Sequence, residues 1–137
     1  QDIADEFLNG ITTYKLRKAL YGLKQSPNLW FKTISDYIIS LGYQQCKSDN
    51  CIFIKQTDTK PIILSLYVDD TIIVYDKKCE HLWKNDLEKL QSKFKIKQLG
   101  ELKQILGLQI TRNESGFILN QSKYIDELIL TQFIKIE

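Results

Sequence analysis

Residues 62–75 read IILSLYVDDTIIVY, and this stretch decides the fold of the 137-residue chain. Two apolar runs rich in β-branched side chains, Ile62–Val68 and Thr71–Tyr75, stand on either side of Asp69 and Asp70. The pattern is typical of a tight β-hairpin whose turn carries the two acids. Because the flanking positions are apolar almost throughout, we expect both faces of this hairpin to be buried.

Three helices are predicted around this hairpin. The first covers Pro27–Leu41, where apolar side chains recur at helical spacing; Ser26 can cap its start and Gly42 follows its end. The second and third cover Glu80–Phe94 and about Lys123–Phe133, each with an apolar stripe on one face.

Further strands are predicted on both sides of the central hairpin. Cys51–Gln56 precedes it, and Thr12–Leu20 could form a short strand near the start of the chain. A second hairpin is predicted from Lys103–Arg112 and Phe117–Asn120, with its turn at residues 113–116.

The order of these elements predicts an α+β fold. One antiparallel sheet would have helices packed on one face, followed by a C-terminal hairpin and helix. The length of 137 residues, with 43% hydrophobic and 26% charged residues, fits a single domain over residues 1–137. The same composition excludes a disordered tail, a collagen-like chain and a disulfide scaffold.

The cysteines and the first residues of the chain together predict the cellular compartment of the protein. Cys46, Cys51 and Cys79 are an odd number of widely spaced thiols, which suits a reducing compartment. Together with His81 they match no common zinc-binding spacing. The first residues lack the basic and then apolar order of a secretory signal, and no run approaches the roughly 20 apolar residues of a membrane span. We expect a protein of the cytoplasm or the nucleus, neither secreted nor bound to a membrane.

A basic and aromatic segment predicts contact with nucleic acid. Residues 11–35 contain five basic side chains and no acidic one, and aromatic residues lie between them. Cations beside aromatic rings can follow phosphates and stack on bases. The alternative is a solvated lysine-rich surface beside a core helix. The basic residues are Lys15, Arg17, Lys18, Lys24 and Lys32.

Asp69 and Asp70 pose an electrostatic problem at the tip of an apolar hairpin. Two like charges about 4 Å apart repel by about 4 kcal/mol at an effective dielectric constant of about 20. Either the pair projects into water, or one acid is protonated, or a divalent cation neutralises both. Mg²⁺ prefers carboxylate oxygens and keeps open positions for phosphates. The alternative is an ordinary Asp-Asp turn, although no glycine eases it and function can retain a strained turn.

A two-metal site needs a third carboxylate from another strand. Asp2 is a candidate because it begins the first apolar stretch, which would lie beside the central hairpin in a sheet of this order. The spacing alone does not distinguish Asp2 from other acids, namely Asp5, Glu6, Asp49 and Asp76.

Several motifs in the same order resemble the reverse transcriptase of Ty1/copia-type retrotransposons. They are KALYGLKQSP at residues 18–27, Trp30, YVDD at 67–70, LGELK at 99–103, Leu106-Gly107 and LNQSKY at 119–124. The resemblance implies the ferredoxin-like palm of a polymerase that copies RNA or DNA into DNA. It also implies two Mg²⁺ ions, with Mn²⁺ as the alternative, and deoxynucleoside triphosphates as substrate. The implied partners are an RNA or DNA template-primer and other parts of a retrotransposon polyprotein.

The resemblance also implies roles for individual residues. Asp2, Asp69 and Asp70 would be the catalytic carboxylates that hold the two metal ions, and the backbone carbonyl of Ile3 would be a further ligand. Phe7 would lie against the sugar of the incoming nucleotide and exclude a ribose 2′-hydroxyl. Gly22 would let the backbone approach the template–nucleotide pair, with Lys24 and Gln25 beside it. Leu106-Gly107 would lie in a hairpin that resembles the primer grip.

Three departures from the family pattern lower the expected activity. The chain begins one residue before Asp2, Glu6 stands where the family has a small residue, and only about ten residues separate Gly10 from Leu20. Fingers and ribonuclease H regions are not recognised. We therefore expect weak or no polymerase activity in this chain alone. One alternative is a palm remnant that binds nucleic acid or a partner without catalysis, and another is a different two-metal nucleotidyl enzyme such as a cyclase.

Overall fold

The computed structural model describes residues 19, 20 and 22–133. Within this range the chain forms three α-helices and two antiparallel sheets, so the predicted α+β class is confirmed. The chain divides into two compact units, Gln1–Leu87 and Glu88–Glu137. The expectation of one domain over residues 1–137 stays a prediction.

The first unit is built around a four-stranded sheet with the order β1-β2-β3-β4. Neighbouring strands are antiparallel, and β3 and β4 pair from Ile63–Val74 to Tyr67–Asp70. Helix α1 precedes the sheet, and a 3₁₀ turn at Lys77–Cys79 leads into helix α2. The elements are α1 (Ser26–Ser40), β1 (Gln44–Gln45), β2 (Ile52–Lys55), β3 (Ile62–Tyr67), β4 (Asp70–Val74) and the first half of α2 (Glu80–Lys93), which continues past the end of this unit at Leu87.

The core of this unit lies on one face of the sheet. Alternate residues of β3 are buried, as a strand with one covered face requires. Phe53 pairs with Leu64 across β2 and β3, and both side chains are fully buried. The helices contribute the buried residues Ile34, Ile38, Trp83 and Leu87.

The expectation that both faces of the central hairpin are buried is wrong for β4. None of its five residues is buried, and Val74 is 58% exposed. Among the described strands β4 pairs with β3 alone and is the last in the sheet order, where less of each side chain is covered. Apolar composition alone does not distinguish an edge strand from a central one.

Helix α1 begins differently from the prediction. Ser26 is its first residue rather than its cap, and the cap position Gln25 makes no side-chain hydrogen bond. The Ser26 hydroxyl instead donates to the carbonyl of Leu20, which ties the helix start to the preceding turn. Pro27 lies in the first turn, where its missing N–H is tolerated.

The second unit contains a three-stranded antiparallel sheet with the order β5-β6-β7 and the helix α3. The predicted single strand Lys103–Arg112 is wrong, because the chain turns back at Leu106-Gly107, with φ of 50° and 79°. Positive φ at both loop residues is typical of a type I′ hairpin turn. The elements are β5 (Gln104–Ile105), β6 (Leu108–Asn113), β7 (Gly116–Asn120) and α3 (Ser122–Phe133).

One further prediction is confirmed, and another lies mostly outside the described residues. The turn between Asn113 and Gly116 is confirmed by the pairing of β6 with β7. The predicted strand Thr12–Leu20 lies outside the described residues except at Ala19 and Leu20, which have no regular secondary structure. No helix in the described ranges has the length and apolar character needed to cross a membrane.

Candidate functional site

The two acids lie at the tip of the hairpin formed by β3 and β4. Tyr67 and Asp70 are the last paired residues, so Val68 and Asp69 form a two-residue loop. Val68 has a φ of 53°, and Asp69 is not among the residues with positive φ. Positive φ at the first loop residue alone is typical of a type II′ turn, in which glycine is favoured. A β-branched side chain there stores about 1–3 kcal/mol of backbone strain.

Both carboxylates of the tip face solvent. Asp69 and Asp70 are exposed, as are the neighbouring side chains of Tyr67 and Val68. Within residues 19, 20 and 22–133 neither carboxylate takes part in an ion pair or a side-chain hydrogen bond. Of the three solutions to their repulsion, the structure has the pair projecting into water. The oxygens are therefore free to bind a hard divalent cation.

Helix α1 contacts this turn through Trp30. Its indole Nε1 donates a hydrogen bond of 3.1 Å to the carbonyl oxygen of Val68, across 38 positions of sequence. Trp30 is half-buried and lies in the second turn of α1. The hydrogen bond therefore links the beginning of α1 to the tip that carries Asp69.

Three predicted substrate-binding residues precede α1 in an exposed turn. Gly22 has a φ of 89° and open space where a Cβ would lie. Lys24 and Gln25 are exposed, and the carbonyl of Gln25 accepts the first helical hydrogen bond from Leu29 at 3.2 Å. Their positions beside a template or a nucleotide stay predictions.

The third carboxylate of the predicted metal site is not part of the described structure. Asp2, Ile3 and Phe7 lie outside the described residues, as do the competing acids Asp5 and Glu6. No group of three or more His, Cys, Asp or Glu side chains suited to a metal ion occurs within the described ranges. Asp69 and Asp70 therefore fit a metal ion as two of its ligands, and the remaining ligands stay predictions.

Asp49 and Asp76, the other two alternatives to Asp2 as the third carboxylate, accept hydrogen bonds within local turns. Asp49 accepts a hydrogen bond of 2.8 Å from the backbone N–H of Cys51. Asp76 accepts one of 3.0 Å from the N–H of Lys78 and pairs with Lys60 at 3.4 Å. The backbone hydrogen bond and then Lys60 lower the pKa of Asp76. Both acids therefore have structural partners, unlike Asp69 and Asp70.

A buried polar cluster, Tyr43–Lys55–Asp86, connects β2 with α2. Asp86 Oδ2 lies 2.7 Å from the ammonium of Lys55 and accepts a 3.2 Å hydrogen bond from the hydroxyl of Tyr43. The same ammonium lies 5.3 Å from the ring centre of Tyr43. Burial, and then the charge and hydrogen bond of Asp86, raise the pKa of Tyr43 well above its usual range. This cluster was not predicted from the sequence. The feature that could have indicated it is the acid Asp86, which lies between the apolar residues Trp83 and Leu87 at a core-facing position of the helix.

Comparison with known proteins identifies the family. The model of a family described as "Reverse transcriptase (RNA-dependent DNA polymerase)" matches residues 8–134. The chain belongs to this family. The reverse transcriptase match includes the hairpin tip, the turn before α1 and Trp30, so the motifs that suggested the resemblance lie inside it.

Relatives of this reverse transcriptase segment are retrotransposon polyproteins. The chain is 40% identical over 119 residues to the Retrovirus-related Pol polyprotein from transposon TNT 1-94 of Nicotiana tabacum, and 36% over 115 residues to that from transposon RE1 of Arabidopsis thaliana. Each alignment covers 84% of this chain. The Transposon Ty1-MR1 Gag-Pol polyprotein of Saccharomyces cerevisiae is 33% identical over 102 residues, or 70% of this chain. The resemblance to Ty1/copia-type reverse transcriptases is confirmed.

The chain covers only a small part of these relatives. It spans 9% of the tobacco polyprotein, 8% of the Arabidopsis polyprotein and 6% of the yeast polyprotein. No solved structure gives a significant match. Reverse transcriptases generally use divalent metal ions and bind a nucleic-acid template, and these general properties apply to the family of this chain.

Proposed function

We propose that this segment provides the catalytic hairpin of an RNA-directed DNA polymerase. Asp69 and Asp70 would hold two Mg²⁺ ions, with a deoxynucleoside triphosphate as substrate and an RNA or DNA template-primer as partner. One observation carries the proposal, the two exposed and unpaired carboxylates at the tip of a strained hairpin. The cytoplasm or nucleus is the proposed location, and other parts of a polyprotein are proposed partners.

In the proposed reaction each of the following residues either binds a metal ion or contacts a substrate. Metal ions, when bound, offset the charge that develops on the transferred phosphoryl group. Asp69 would present its oxygen ligands from the two-residue loop and Asp70 from the first position of β4, so the two ligands are adjacent on one hairpin. Lys24 would offer a positive charge near the nucleotide or template, and Gly22 would allow close backbone approach. Asp2, Ile3 and Phe7 keep their predicted roles as a carboxylate ligand, a carbonyl ligand and a sugar contact.

Primer extension tests the proposal. An oligo-dT primer on a poly-A template is incubated with the chain, Mg²⁺ and thymidine triphosphate. We expect at most weak extension by the parent chain, and this extension should be lost in Asp69→Asn and retained in Asp58→Asn, since Asp58 is an exposed acid in the turn before β3. Extension that survives Asp69→Asn would contradict the proposed role of the hairpin.

A second candidate function is nucleic-acid binding without catalysis. Lys24 and Lys32 are exposed on either side of the half-buried Trp30, and neither takes part in an ion pair in the described part of the chain. Such cations remain available for phosphates. RNA binding that weakens steeply with salt, with no primer extension by the parent chain, would favour this function over the first.

A further inference from the structure

The strained turn at the hairpin tip receives a hydrogen bond from outside the hairpin. Val68 and Asp69 form the loop, and neither is a glycine or an asparagine, the residues that favour positive φ. The other two-residue hairpin loop, Leu106-Gly107, has positive φ at both positions and glycine at the second. The loop at Val68 therefore has a positive φ at a residue that does not favour it, a conformation that persists only where the surrounding structure supports it.

Trp30 supplies that interaction. Its indole N–H donates to the carbonyl oxygen of Val68, the same residue whose φ is 53°. A hydrogen bond to this carbonyl fixes the orientation of the peptide unit that joins Val68 to Asp69. Because Trp30 lies on a 15-residue helix, the donor is held by a rigid element rather than by a loop.

We propose that Trp30 is a positioning residue, whose indole N–H holds the strained Val68-Asp69 turn and so fixes the direction in which Asp69 presents its carboxylate. The proposal rests on the proposed function only in taking Asp69 as a metal ligand. In this role Trp30 would act through Val68 and not through direct contact with a metal ion or a substrate. A net hydrogen bond of ordinary strength corresponds to a roughly two- to tenfold bias toward the observed turn.

A packing role for Trp30 is the competing explanation. Its ring is half-buried, so truncation of the side chain would destabilise α1 whatever the hydrogen bond does. Trp30→Phe separates the two roles, because it keeps most of the ring and removes the N–H. Trp83→Phe is the matched control, since Trp83 is 7% exposed in α2 and has no part in the hairpin tip.

Two measurements on the full chain test the proposal. Amide hydrogen exchange at residues 68–70 reports the turn directly, and Mn²⁺ affinity, measured by electron paramagnetic resonance, reports its effect on ligand geometry. We expect Trp30→Phe to accelerate the exchange and weaken Mn²⁺ binding, each by roughly two- to tenfold. Trp83→Phe should change neither, even where it lowers the melting temperature. Parental exchange rates in Trp30→Phe would overturn the proposal.

The outcomes distinguish this proposal from the proposed function. If the parent chain binds no Mn²⁺, the metal site at Asp69 fails, while the exchange rates still decide whether Trp30 holds the turn. If Trp30→Phe does not fold, the parent labelled with ¹⁵N-tryptophan gives the answer. The indole N–H of Trp30, assigned with Trp83→Phe, should exchange more slowly than a free indole, and exchange at the free-indole rate would overturn the proposal.

Discussion

The ammonium of Lys55 lies 2.7 Å from Asp86 Oδ2 and forms an ion pair between β2 and α2. The Asp86 side chain is only 1% exposed and that of Lys55 is 23% exposed, so the acid cannot exchange its partner for water. The second oxygen of Asp86 has no hydrogen-bond partner in the described structure. The pair therefore fixes the position of α2, but the cost of burying the charges reduces its contribution to the free energy of folding.

Removal of one charge from this pair should be strongly destabilising. We expect Asp86→Asn to lower the free energy of unfolding by about 3 kcal/mol, because it leaves the half-buried ammonium of Lys55 without its counter-charge. Urea unfolding measures the change. Glu80→Gln is the control, since the Glu80–Lys84 pair at 2.9 Å is largely solvent-exposed and should cost less than about 1 kcal/mol. A smaller loss for Asp86→Asn than for Glu80→Gln would contradict this account of the pair.

Replacement of both partners should be less harmful than removal of one. In Lys55→Met combined with Asp86→Leu, no buried charge remains, so we expect a smaller loss of stability than in Asp86→Asn alone. Urea unfolding of the double variant beside the single variant decides the point. If the double variant loses more stability than the single variant, the attraction between the two charges exceeds the free-energy cost of burying them, and the prediction is contradicted.

Stability at high pH should depend on Tyr43. The pKa of Tyr43 is raised in the folded state, first by burial and then by Asp86. Its contribution is fully present below the ordinary tyrosine pKa of about 10 and is lost as pH rises toward the folded pKa, because the unfolded chain releases the proton first. We expect Tyr43→Phe to flatten the fall in melting temperature above pH of about 10. Tyr124→Phe, at a side chain 49% exposed, is the control. Equal slopes in Tyr43→Phe and the parent would contradict the prediction.

The two turns with positive φ should respond differently to substitution. Gly107 has a φ of 79° and no atom within 4 Å of the position that a Cβ would take, so Gly107→Val suffers from backbone strain and not from a clash. We expect it to lower the free energy of unfolding by about 1–2 kcal/mol. Val68→Gly should be nearly neutral, because the relief of strain at φ 53° offsets the greater freedom of glycine in the unfolded chain. Equal losses for the two substitutions would contradict the assigned turn conformations.

The repulsion between Asp69 and Asp70 should appear in thermal unfolding. In EDTA we expect Asp69→Asn to raise the melting temperature by about 1–2 °C, because it removes one of two adjacent like charges. Mg²⁺ should raise the melting temperature of the parent and have little effect on this variant. Asp58→Asn should behave like the parent in both conditions. Identical responses of Asp69→Asn and the parent to Mg²⁺ would contradict metal binding at the hairpin.

Local sequence patterns predicted the central hairpin to within one residue, since its loop is Val68-Asp69 rather than Asp69-Asp70. The two β-branched runs on either side of Asp69-Asp70 leave few other structures possible, and the paired residues run from Ile63 to Val74. The turn at Leu106-Gly107 was missed because it interrupts one continuous strand-like segment, and because leucine at positive φ has no local signal. The two-residue strand β1 was also missed, since Gln44 and Gln45 are too few and too polar to show periodicity.

Contacts between distant parts of the chain were beyond prediction from the sequence. Trp30 and Val68 are separated by 38 positions, and nothing in either local pattern indicates that one donates to the carbonyl of the other. The exposure of β4 depends likewise on where the strand lies in the sheet and not on its composition. Asp69 and Asp70, by contrast, could be identified from the sequence as candidate site residues because they are charged residues between two apolar strands.

Paramagnetic broadening by Mn²⁺ tests the central claim, that Asp69 and Asp70 form a divalent-metal site, most directly. A ¹⁵N-labelled chain is titrated with substoichiometric Mn²⁺, and the loss of each amide resonance is recorded. We predict that residues 67–71 broaden first, and that combined Asp69→Asn and Asp70→Asn substitutions abolish the effect. Broadening that centres on other acids, such as Asp49 or Glu101, and persists in the double variant would contradict the claim.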